Sequence, residues 1–146
     1  MTGLAISFVL QTAMLTAGAD GYSDAYHAAQ SNGKPLVVLV GTEWCPGCKT
    51  MKHGILPRLM GRGKMQRVNF AQVNSDDDWG LASKLLVGDT IPQLVVFAKT
   101  PEGWKCEHLK GAKSEAEVEE AIERATTAMQ ATERLSMTPT SSSATN

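Results

Sequence analysis

The sequence predicts an α/β domain built on a mixed sheet, and three of its features carry that prediction. Leu36 to Val40 is an unbroken run of branched apolar residues, the pattern of a strand buried on both faces, and Gly41 ends it. Ser114 with Glu117 forms a capping box ahead of an apolar stripe at Val118, Ala121, Ile122, Ala125 and Met129, which marks an amphipathic helix. Between these two landmarks helical and extended patterns alternate, and the last two strands follow one another directly. That order describes an α/β sandwich with a parallel pair of strands and a terminal antiparallel hairpin. At 146 residues the chain is long enough to bury one real core and too short for two ordinary domains.

The elements follow in chain order. Tyr22 to Gln30 reads as a short helix with Tyr22, Tyr26 and Ala29 on one face, stopped by Asn32-Gly33. Lys34-Pro35 opens the buried strand. After Trp44 to Cys48, the residues Met51, Ile55 and Leu59 recur near helical spacing, but Gly54 and Pro57 should kink that helix or divide it in two. Val68 to Val73 is a second strand. Asp76-Asp77-Asp78 caps a helix with Trp79, Ala82, Leu85 and Leu86 on its apolar face, and a calcium loop is disfavoured because hard-ion loops space their ligands around a fixed glycine. Leu94 to Phe97 is a third strand, and Pro101-Glu102-Gly103 turns the chain into a fourth from Trp104 to Leu109. The final helix, with four glutamates in its first two turns, should reach about Leu135.

Both ends have a distinctive composition. Residues 1–19 contain no Asp, Glu, Lys or Arg, are mostly apolar from Leu4 to Leu15, and close on Ala17-Gly18-Ala19, an order that suits a secretory signal. The alternative is a first helix or strand packed on the domain. With a signal removed, the domain would occupy residues 20–135 in an extracytoplasmic compartment, periplasmic or secreted; without one, it would be cytoplasmic. No membrane span is expected in the mature chain, since a span needs about 20 apolar residues. From Ser136 to Asn146, seven of eleven residues are Ser or Thr and none is charged, so residues 136–146 read as a disordered tail. A net charge of −1, from 14 Lys+Arg against 15 Asp+Glu, supplies no field for nucleic acid or anionic lipid.

The chemistry concentrates in Glu43-Trp44-Cys45-Pro46-Gly47-Cys48-Lys49, which leaves the buried strand and opens a helix. A cysteine at a helix amino terminus faces unpaired N–H groups and the positive end of the macrodipole, both of which favour thiolate. Cys45 is therefore the candidate nucleophile. Cys48, one turn later, can reach the same sulfur and resolve a mixed disulfide formed there. Pro46 has no N–H to leave unpaired in the first turn, and Gly47 keeps the approach open for a substrate backbone. Lys49 and Lys52 either add positive potential at the thiolate or are merely solvated.

Taken together, Trp44-Cys45-Pro46-Gly47-Cys48-Lys49, the strand before it, and Thr90-Ile91-Pro92 leading into the third strand resemble the thioredoxin superfamily. The likeness covers about residues 22 to 134, and the Lys34-Pro35 opening is similar to secreted thioredoxin-like domains. It implies a thioredoxin fold, with a central mixed sheet of about four strands flanked by helices. It also implies thiol–disulfide exchange with protein disulfides and with a redox partner protein, by a monomer. No organic cofactor is implied beyond the redox-active Cys45–Cys48 disulfide. By the same resemblance Pro92 matches a cis-proline beside the sulfurs, and Trp44, Pro46, Gly47, Ile91 and Pro92 would contact substrate. Ile91 before the proline is similar to the reducing members. Two departures stand out: Leu39 occupies the place of the family's buried carboxylate, and Pro46-Gly47 reverses its usual Gly-Pro.

Other readings compete at several positions. Cys45 and Cys48 could be an inert pair or half of a zinc site, but the remaining candidates, Cys106, His27, His53 and His108, offer no second pair at metal-site spacing. No metal site is assigned. Copper held by the two cysteines alone suits a soft ion, and related folds include copper-delivery proteins, so a non-enzymatic metal carrier or redox-silent interaction module is the competing class. Cys106 reads as a structural cysteine packed under a helix or at the sheet rim, His53 as a solvated face residue, and Trp79 as core. Trp44 is either core or a contact beside the nucleophile.

Overall fold

All six residues of β1 (Leu36–Gly41) are buried, as their branched apolar run requires. In the computed structural model the described residues are 20–138; the signal expected over 1–19 and the tail from residue 139 onward lie outside that range. β1 pairs in parallel with β2 (Asn69–Asn74), Leu36 standing opposite Asn69. It pairs antiparallel with β3 (Gln93–Thr100), Val40 standing opposite Gln93. β3 then turns into β4 (Gly103–Lys110) as an antiparallel hairpin whose Gly103 takes φ +115°, a conformation open to glycine. The strand order is β2-β1-β3-β4, a four-stranded mixed sheet.

Alternation along the strands divides the core in two. Val37, Leu39, Leu94, Val96 and Leu109 pack against Val118, Ala121, Ile122, Ala125 and Met129 of α5 (Glu115–Met137), with Met51, Leu56 and Leu59 from the helical run after the cysteines. On the opposite face Leu36, Val38, Val40, Val73 and Val95 meet Ala25 and Ala29 of α1 (Asp20–Asn32) and Ala82 and Leu85 of α4 (Trp79–Leu85). Full burial of a side chain the size of Val or Leu stabilises by about 1.5–3 kcal/mol, so these two layers dominate the fold's energetics.

The helical run begins as α2 (Pro46–Thr50), passes through a π-helical turn (Met51–Ile55) and continues as α3 (Leu56–Gly61). Pro57 cannot donate a backbone hydrogen bond, and the wider turn absorbs the defect, so the run is one interrupted helix instead of two separate ones. The capping box at α5 is present, with Ser114 accepting from Glu117 N–H and the Glu117 carboxylate accepting from Ser114 N–H. α5 runs to Met137, two residues past the expected end, so Ser136 and Met137 belong to the helix.

Two residues are more exposed than expected. Trp79 is 64% exposed: seven-residue α4 buries Ala82 and Leu85, and the tryptophan at its first position lies one turn short of the core. Cys106 is exposed too. β4 is an edge strand covered only on its α5 side, where Leu109 is buried, while Trp104 and Cys106 point to the face that α1 and α4 leave open.

Candidate active site

Past Gly41 the chain runs through Thr42, Glu43 and Trp44 to Cys45, the N-cap of α2. The Cys45 sulfur accepts a hydrogen bond from Cys48 N–H at 3.2 Å, so a free backbone donor of the first turn is spent on sulfur. Pro46 follows at the first helical position, where its missing N–H costs nothing. Cys45 and Cys48 form a disulfide with their Cα atoms 5.2 Å apart, inside the range a disulfide spans. Both are nearly enclosed, at 6% and 4% exposure.

The third strand's lead-in completes the site. Cys45 Sγ lies 3.9 Å from the carbonyl oxygen of Ile91, and the Ile91–Pro92 peptide is cis. A Cβ added at Gly47 would lie 3.0 Å from Pro92 Cδ and 3.6 Å from the Ala112 methyl, so Gly47, Pro92 and Ala112 are in close approach. Trp44, 67% exposed, precedes Cys45 in the chain, and its indole N–H donates to Asp76 at 2.9 Å. The structure therefore gathers Trp44, Cys45, Pro46, Gly47, Cys48, Ile91 and Pro92 at one end of the sheet. It leaves His53 exposed on the π-helical turn and puts Cys106 and His108, whose Sγ and Nε2 are 3.4 Å apart, on edge strand β4.

Three contributors were not legible beforehand. Gly41 is one: a Cβ there would fall 2.5 Å from Cys48 Sγ, so the Cys48 sulfur occupies space that only glycine leaves. Gln93 is another, fully buried, its amide joined to Val87 N, Val87 O and Thr90 O, which pins the loop leading to Ile91. An uncharged polar residue at the head of an apolar strand was the available signal. The third is Asp76, which anchors Trp44, while Asp78 caps α4 by accepting from Leu81 N–H at 2.9 Å.

Charge near the dithiol is organised by one pair. Lys52 donates to the Glu43 carboxylate, and that hydrogen bond, reinforced by the charges of Lys52, His53 and Lys49, holds the Glu43 carboxyl below the usual glutamate range. Both residues line a cavity of about 600 Å³ together with Leu39, Gly41, Thr42 and Cys48. Among the described residues no three or more His, Cys, Asp or Glu side chains cluster as a metal site, and no helix is long and apolar enough to cross a membrane.

The thioredoxin family model matches residues 21–124. None of the curated proteins matches the chain significantly. Among solved structures, a thioredoxin from Thermus thermophilus is 24% identical over 70% of this chain and 82% of its own, with a TM-score of 0.59. A thioredoxin from Nicotiana alata is 23% identical over 75% and 88%, with a TM-score of 0.57. One from Fasciola hepatica is 25% identical over 71% and 93%, with a TM-score of 0.53.

Proposed function

The chain belongs to the thioredoxin family, and from that membership together with the placement of its cysteines we propose that it exchanges protein disulfides, as a reductant in preference to an oxidant. One observation carries the reading: Cys45 heads a helix with a backbone N–H on its sulfur, and Cys48 stands within bonding reach of it. In the reduced protein the Cys45 thiolate attacks one sulfur of a substrate disulfide. The substrate's other sulfur leaves as thiolate and takes a proton from water. Cys48, as thiolate, then attacks Cys45 Sγ, the mixed disulfide breaks, and the second substrate sulfur departs. Substrate loses one disulfide, and the protein gains one.

Trp44, Pro46, Gly47, Ile91 and Pro92 form the groove for the substrate chain in this reading, with the Ile91 carbonyl beside the nucleophile available to a substrate N–H. Ile91, similar to the residue before the proline in reducing members of the superfamily, supports the direction. The composition of residues 1–19 supports export, and amino-terminal sequencing of protein recovered from its cells should then find a start near Asp20. Recovery from the cytosol with Met1 intact would overturn that part.

The exchange itself is tested by trapping. Cys48→Ser should accumulate mixed disulfides through Cys45, whereas Cys45→Ser should be inactive and trap nothing. Trapping by Cys45→Ser instead would reverse the two roles.

A further inference from the structure

We infer that Lys52 is a positioning residue for the resolving step: its ammonium, tethered by Glu43 in the cavity beside Cys48, favours the Cys48 thiolate, whose proton leaves through that cavity to water. The inference rests on the dithiol reading above. Cys48 must lose a proton before it can attack Cys45, yet it is 4% exposed, and burial disfavours a thiolate unless charge or donors compensate. Leu39, which lines the same cavity as Cys48, is apolar and 4% exposed, so that strand position cannot take the proton.

The cavity supplies what the core does not. Lys52 follows Cys48 by four residues on the same helical run, the spacing at which side chains neighbour one another, and both line the cavity. The Cys48 sulfur packs against the bare backbone of Gly41, which lines the cavity as well. Thr42 Oγ1, also in the lining, is buried and has no hydrogen-bond partner among the described residues. A buried hydroxyl of that kind is costly unless water pairs with it, and the space is ample for water. The cavity, apolar over most of its lining but carrying Thr42, Glu43 and Lys52, thus gives water a way to the buried sulfur.

The other charges in reach are few. Glu43 stands on the segment before Cys45, Lys49 and His53 lie on the helical run, and Asp77 and Asp78 line the β2 end of the cavity. Asp77 accepts from Asn74 and Asp78 caps α4, so both are committed locally. Glu43 is a poor proton acceptor for a thiol, because its pair with Lys52 lowers the basicity of its carboxylate. Its part is to hold the lysine.

The step balances as follows. Cys48–SH gives its proton to water, the thiolate attacks Cys45 Sγ of the mixed disulfide, the Cys45–Cys48 bond forms, and the departing substrate thiolate is protonated from solvent.

The test reads the ionisation of Cys48 by thiolate absorbance in full-length protein carrying Cys45→Ser and Cys106→Ser, which leaves one thiol. Lys52→Gln should raise the midpoint by roughly half to one pH unit, and Lys52→Arg should restore it. In protein with Cys45 and Cys48 intact, Lys52→Gln should slow resolution of a preformed mixed disulfide by about two- to threefold near neutral pH, since a more basic thiolate is scarcer but more nucleophilic. Attack by Cys45 should be unchanged. An unmoved or lowered midpoint in Lys52→Gln overturns the inference, as does slower resolution in Glu43→Gln than in Lys52→Gln, which would make the carboxylate the operative group. Failure of the exchange reading would show separately, as absent turnover in the unsubstituted protein, because the midpoint is read without turnover.

Discussion

Gly41 and Gly47 do different work around the cysteine pair, one against the Cys48 sulfur and one against Pro92. A methyl at Gly41 would sit 2.5 Å from Cys48 Sγ and 3.1 Å from its Cβ, between a buried central strand and a helix start that cannot easily separate. Gly41→Ala should therefore destabilise the oxidised protein by about 1–3 kcal/mol, the usual cost of overpacking, as measured by urea unfolding. Unchanged stability would mean that Cys48 can move aside. Gly47→Ala is milder for stability: its Cβ meets Pro92 Cδ at 3.0 Å, and alanine's helix propensity, worth up to about 1 kcal/mol, offsets the crowding. In the proposed substrate groove that methyl would stand beside the substrate chain, so the variant should reduce a protein disulfide about two- to tenfold more slowly. It should reduce a small-molecule disulfide at the original rate. Equal loss with both substrates would remove Gly47 from the groove.

At the scale of elements, what could be read in advance was whatever the local chain decides alone. β1 was legible because burial on both faces leaves a continuous apolar run, and α5 because its cap and stripe are both local. The cysteine pair was legible as strand, turn and helix start. What depends on neighbours was not: β3 and β4 are eight residues each because they extend one another through the hairpin, and the exposure of Trp79 and Cys106 follows from which parts of the sheet the helices cover. Gly41 looked like a strand stop; only the fold brings Cys48 over it. Two substitutions check the element-level energetics by urea unfolding. Ser114→Ala removes the α5 cap and should cost about 0.5–2 kcal/mol, whereas Ile122→Ala empties a site 2% exposed and should cost about 2–5 kcal/mol. A larger loss from the cap than from the cavity would contradict the account of where α5 gets its stability.

Over the whole molecule, acidic groups tie the surface together. Glu115 pairs with Arg58 and Arg62, and Glu123 with Arg67, fastening the helical run and the turn after it to α5. The carboxyls of Glu43, Glu102, Glu117 and Glu119 are all held below the usual value of 4.5, for Glu43 and Glu119 chiefly by lysine hydrogen bonds, for Glu102 by Thr100 and for Glu117 by the Ser114 backbone. Since the unfolded chain takes up these protons at higher pH than the folded one, their contribution is present above the unfolded value and is lost as pH falls through the folded values. Urea midpoints should thus drop between neutral pH and about pH 3.5, and less steeply in high salt, because exposed pairs are screened. Stability that rose on acidification would contradict the signs. The proposed disulfide exchange by Cys45 and Cys48 is the point to measure. Pre-reduced full-length protein, freed of other thiols, should open disulfides of a folded protein substrate one for one while its own Cys45 and Cys48 become oxidised, and a parallel copper titration should leave that stoichiometry unexplained by metal. Substrate disulfides that stay closed while the Cys45–Cys48 thiols persist, or are taken up by metal alone, would contradict the account.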